Sequence, residues 1–115
     1  MLAGKYNITC EQGATFDLQL TWKDSGGALV NIAGYTARMQ VKKSRTDTTN
    51  VVSLTTENSR IVLGGAAGTI DLTIDATTTA ALDVGQFVYD LELINGSTVY
   101  RVVEGAFTVS GEVTR

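Results

Sequence analysis

Strict alternation of apolar and polar side chains is the feature that most limits what this chain can become. From Thr15 to Lys23, Phe16, Leu18, Leu20 and Trp22 alternate with Thr15, Asp17, Gln19, Thr21 and Lys23. Successive side chains of an extended strand point to opposite faces, so this pattern predicts a strand with one face buried. The same logic holds for Tyr35, Ala37, Met39 and Val41, for Ile70, Leu72 and Ile74, and for Phe87, Tyr89, Leu91 and Leu93.

Turn signals punctuate these runs. Asp24-Ser25-Gly26-Gly27 is a turn by composition, and the polar stretch from Lys43 to Asn50 reads as an exposed hairpin loop. Val51 to Thr55 and Arg60 to Leu63 are short strands around Glu57-Asn58-Ser59, and Gly64 to Gly68 is a glycine-rich loop. Ala76 to Val84 holds the one plausible helical turn, with Thr77 to Thr79 as the source of an N-cap hydroxyl, and reads as a crossing loop. Asn95-Gly96 predicts a type I′ hairpin turn. The return strand runs from Ser97 to about Glu104, and Gly105 suggests a bulge before Ala106 to Val109. Roughly seven to nine strands at this spacing predict an all-β sandwich, and the short, hairpin-like connections predict antiparallel sheets. The domain spans 1–115, with 1–6 as an N-terminal arm and 110–115 as a C-terminal tail.

Composition narrows the chemistry. The 115 residues include no His, no Pro and one Cys. Without His the usual general base and metal ligand are gone, and one Cys allows neither a zinc ribbon nor an internal disulfide. Cys10 reads as a small half-buried side chain. A net charge of −3 argues against nucleic acid, which asks for a basic face. No apolar run is long enough to cross a membrane as a helix, and the N-terminus does not read as a signal peptide, so the chain is expected to stay in the cell that makes it.

The candidate sites are weak. Asp71 and Asp75 share a strand face, with Asp90 and Glu92 as potential neighbours, and paired carboxylates serve acid–base chemistry or calcium binding. Their outward positions read better as a solvated polar face. Gly64 to Gly68 lacks the Lys-Ser/Thr ending of a phosphate loop, and a strand follows it rather than a helix. Lys42, Lys43 and Arg45 form a small basic cluster, a solvated loop or a rim contact to an acidic neighbour. Trp22 reads as core, with ligand stacking on a carbohydrate-binding sandwich as the alternative. No catalytic residue, cofactor, metal, nucleic acid, membrane or small-molecule substrate is expected.

Longer motifs carry a resemblance. They begin with an N-terminal strand, Glu11-Gln12-Gly13-Ala14-Thr15-Phe16, and Leu20-Thr21-Trp22-Lys23-Asp24-Ser25-x-Gly27. Val30 to Val41, Gly68-Thr69-Ile70-x-Leu72-x-Ile74, Val88 to Leu93 and Arg101 to Arg115 follow. Over nearly its whole length the chain resembles small virion proteins of tailed bacteriophages, and is similar to the immunoglobulin-like N-terminal domain of phage upper baseplate proteins. The resemblance implies an immunoglobulin-like sandwich that serves as a non-enzymatic particle subunit. Its implied role is a tail, baseplate or fibre-attachment adaptor, assembled in the bacterial cytoplasm into the virion and bound to other virion proteins, with self-association in the particle. Capsid decoration and host-glycan binding are the alternatives. In such a sandwich Tyr89, after Leu82-Asp83-Val84-Gly85, would return its hydroxyl to the preceding corner. Chain termini lie at surfaces and order on docking, which makes Leu2, Lys5, Tyr6, Val113 and Arg115 interface candidates, with Lys43 and Arg45 in the loop beside them. Because Pro commonly blunts sheet edges, its absence suggests that a neighbour covers at least one edge.

Overall fold

Residues 4–111 are described by a computed structural model of the chain. They form nine strands: β1 (Gly4–Lys5), β2 (Ile8–Glu11), β3 (Phe16–Thr21), β4 (Thr36–Lys42), β5 (Val52–Thr55), β6 (Ile61–Leu63), β7 (Thr69–Ile74), β8 (Gly85–Asn95) and β9 (Thr98–Ser110). A short helix, α1 (Ala76–Ala80), follows β7, and a 3-10 turn, Gly65–Ala67, precedes it. The strands make a large sheet in the order β1–β9–β8–β4–β5, with β2 also on β9, and a small sheet in the order β3–β7–β6.

The two sheets pack as a sandwich because alternation gives each strand one apolar face. Ala37, Met39 and Val41 of β4 and Phe87, Tyr89, Leu91 and Leu93 of β8 meet Ile70, Leu72 and Ile74 of β7 in one buried cluster. Phe107 of β9 sits at its centre, with its ring edge-on to Phe16 of β3 at 6.0 Å and to Tyr89 at 6.4 Å.

The connectivity corrects the expectation of purely antiparallel, hairpin-like pairing. Hairpins join β4–β5, β6–β7 and β8–β9, but β2–β3, β3–β4, β5–β6 and β7–β8 pass from one sheet to the other. Both β1 and β2 run parallel to β9. Alternation marks a strand as half-buried but does not name its neighbour, and a short loop spans the ~10 Å between packed sheets as readily as it closes a hairpin.

Three local details also differ. The bulge lies at Val102: Leu91 pairs with Val103 and Glu92 with Arg101, so Val102 is the extra residue. Gly105 stays in register opposite Tyr89. The hairpin turn between β8 and β9 is centred on Gly96-Ser97, with only Gly96 at positive φ (62°), the type II′ pattern. The cap of α1 is Asp75, whose Oδ1 accepts from the Thr78 N–H at 3.3 Å.

Candidate interaction surface

The outer face of the large sheet gathers much of the charge of the chain. Arg38 of β4 stands opposite Glu92 of β8, and its Nε donates to Glu92 Oε1 at 2.7 Å. Arg101 of β9, also opposite Glu92, turns its Nε to Asp90 Oδ2 at 3.4 Å and its Nη1 to Glu104 Oε1 at 3.8 Å. Glu104 is the meeting point. Lys5 of β1 donates to its Oε2, and Arg45 of the β4–β5 loop donates to the same oxygen at 3.1 Å. The Glu104 side chain is only 13% exposed beneath cations that are each 73% exposed.

The bulge builds this cluster. Arg101 and Glu104 are three residues apart and would face opposite sides of a regular strand. The extra residue Val102 restores them to one face. The β4–β5 hairpin brings Arg45 in from one side, and the parallel strand β1 brings Lys5 in from the other.

Charge displaces titration in opposite directions here. The Lys5 hydrogen bond holds the Glu104 carboxyl below its ordinary range; burial opposes it less strongly, and the Arg45 hydrogen bond adds a smaller lowering. Burial first, then the neighbouring Glu92, pushes Asp90 up, with Arg101 and Lys42 offsetting part of the rise. A groove of about 300 Å³ lies among Lys5, Lys42, Arg45, Arg101, Asp90 and Glu104. Four cations against two carboxylates make it locally positive on a chain of net charge −3. What this arrangement does chemically is present fixed charge and hydrogen-bond capacity on a sheet face, which suits an acidic partner surface.

A buried tyrosine holds the edge of this face in place. The Tyr89 hydroxyl donates to the Tyr6 carbonyl oxygen at 2.6 Å, and burial raises the titration of its phenol. This corrects the expectation that Tyr89 returns to the corner before β8. Tyr6 breaks the edge between β1 and β2 by turning its carbonyl toward Tyr89. The Asn7 side chain compensates by accepting from the Ala106 N–H at 3.1 Å. Gly105 is required by this approach: a Cβ there would lie 2.2 Å from the Tyr6 carbonyl oxygen.

Among the residues singled out from the sequence, the structure brings Lys5 and Arg45 together on Glu104, whereas Tyr6, 45% exposed, lines a separate lateral groove with Phe16 and Leu18. Lys43 is exposed in the same loop as Arg45, away from the Glu104 ion pairs. Leu2, Val113 and Arg115 lie outside the described residues. Glu104 and Arg101 do not read as neighbours in the sequence, because their shared face depends on a bulge at Val102 rather than at Gly105.

The other candidates disperse. Asp71 lies on the outer face of the small sheet and accepts from Gln19 at 2.8 Å, while Asp75 caps α1. Asp90 and Glu92 lie together on the outer face of the opposite sheet, away from Asp71 and Asp75, so the four carboxylates do not gather. Cys10 is fully buried rather than half-buried, and burial followed by Glu11 raises its thiol titration. Trp22 is 8% exposed and packs its ring on Tyr100 at 5.5 Å, so its face is engaged within the fold. The glycine-rich loop is a turn: Gly68 closes it at φ 69°, where a Cβ would meet the Trp22 and Val30 carbonyl oxygens at 2.9 Å. Among the described residues, no three His, Cys, Asp or Glu side chains gather so as to hold a metal ion. No described helix is long and apolar enough to cross a membrane.

Neither the protein-family models nor the curated protein sequences contain a match to this chain.

Proposed function

We propose that the protein is a non-enzymatic assembly subunit of a tailed-phage particle, an immunoglobulin-like adaptor on the tail, baseplate or fibre-attachment side. The observation that carries this reading is the convergence of Lys5, Arg45 and Arg101 on Glu104, from three separate segments, on one open sheet face. Such a rim of exposed cations around a shielded carboxylate steers and orients an acidic neighbour. The strand order supports the immunoglobulin-like part: β9, β8, β4 and β5 are successive neighbours in one sheet and β3, β7 and β6 in the other. This order agrees with the G-F-C-C′ and B-E-D arrangement of a variable-type sandwich. The phage assignment rests on the sequence resemblance, and the partners are other virion proteins.

The test is incorporation. The tagged protein is expressed in phage-producing cells carrying the corresponding prophage or phage, and particles are purified. The wild type is expected to co-purify with particles, and Lys5→Glu with Arg45→Glu to stay folded but be excluded. A wild type absent from particles overturns the reading, and normal incorporation of the variant overturns the role of this face. Localisation on the head would make the protein a capsid decoration subunit instead.

A further inference from the structure

The two sheets have four edges, and they are not equivalent. β1 and β2 are interrupted at Tyr6 and Asn7, β6 has three residues, and β5 has four. β3 is the exception: six residues, regular, without Gly, Pro or bulge. The backbone directions follow from its neighbours. The Trp22 N–H donates to the Gly68 carbonyl at 2.8 Å, so Phe16, Leu18, Leu20 and Trp22 bond toward β7. Asp17, Gln19 and Thr21, of opposite parity, present their N–H and C=O groups to the free edge. A long, flat, unprotected edge is a template for another strand.

We propose that β3 pairs antiparallel with β3 of a second copy across a two-fold axis at Gln19, merging the two small sheets into one. This surface lies apart from the Glu104 face and does not depend on the phage reading. In this register Gln19 meets its own copy, and Asp17 meets Thr21 of the second copy, so each outward backbone group gains a partner. Charges agree as well. The two Asp17 side chains are kept apart, and Lys23, two residues beyond Thr21, comes diagonally beside Asp17 of the other copy, within reach of a long side chain. Shifting the axis to Leu18 makes the two Asp17 residues diagonal neighbours, and shifting it to Asp17 sets them face to face. On the inner side Leu18 faces Leu20 of the copy. Both are partly buried in the monomer, and Leu18 lines a lateral groove of about 300 Å³ with Tyr6 and Phe16. The second copy would cover that apolar wall. A two-fold axis makes the contact closed and self-complementary.

Sedimentation velocity over a concentration series tests this with a charge swap. The wild type is expected to be a concentration-dependent dimer. Thr21→Asp places carboxylates opposite each other twice per dimer and is expected to weaken association roughly tenfold. Adding Asp17→Lys to Thr21→Asp restores attraction at both places and is expected to recover the dimer, which a folding defect would not do. Gln19→Cys is expected to cross-link under mild oxidation, and Val62→Cys on β6 is not. A wild type monomeric at all concentrations overturns the proposal. So does a dimer indifferent to Thr21→Asp, or one that cross-links through Val62→Cys rather than Gln19→Cys.

Discussion

The hydroxyl of Tyr89 does two things at once: it satisfies a backbone carbonyl and it fixes where Lys5 stands. Removing it in Tyr89→Phe leaves the Tyr6 carbonyl without its donor in a crowded site. The expected loss is about 1–3 kcal/mol in urea unfolding, with faster amide exchange in β1 and β2. Because the folded phenol titrates above the ordinary value of 10.0, the wild type is also expected to lose stability as pH rises past that value, and Tyr89→Phe to lose less. Glu104 gives the opposite sign. Its folded titration is depressed, so its contribution is complete above the ordinary value of 4.5 and is lost as pH falls through the lower folded value. The difference in Tm between wild type and Glu104→Gln should therefore be present at neutral pH and vanish on acidification. Equal differences at all pH values would remove the ion pairs as the cause.

At the scale of elements, α1 acts as a clamp although it is too short to be stable alone. The Thr79 hydroxyl is fully buried and donates to the Ala14 carbonyl at 2.8 Å, while its oxygen accepts from the Gly13 N–H at 3.1 Å. Gln12 Nε2 donates to the Leu82 carbonyl at 2.8 Å beside it. Together they tie the β2–β3 crossing to the α1–β8 corner. Thr79→Val keeps the shape and removes both bonds, so about 1–3 kcal/mol of stability should go. Thr77→Val, at an exposed position in the same helix, should change stability by less than about 0.5 kcal/mol. Equal effects would mean that the hydroxyl of Thr79 is not the tie. The threonines of Ala76 to Ala80 look alike in sequence, and only the position of the β2–β3 crossing distinguishes them.

For the whole molecule, the single Cys is a reporter. Cys10 lies on the inner face of β2, pairs in register with Val109, and has its thiol titration raised by burial. Thiol reagents need both access and thiolate, so labelling should follow opening of the sandwich rather than simple exposure. The labelling rate is expected to rise with urea along the unfolding curve. A rate far above that set by unfolding would show that β2 detaches from β9 on its own.

Strand positions and the faces they bury were already fixed by local pattern. Period two is a property of neighbouring residues, and each apolar run had to find a core whatever its partner. Thus β3, β4, β7 and β8 could be placed from the sequence within a residue or two, and Trp22 belonged inside. The tertiary structure decided which strands adjoin, that β1 and β2 run parallel to β9, and that Val102 rather than Gly105 is the extra residue. From that last choice came the shared face of Arg101 and Glu104, and with it the cluster that Lys5 and Arg45 complete. Register and bulges are set by contacts between residues far apart in the chain, such as the Tyr6 carbonyl over Gly105, and a local pattern carries no record of them.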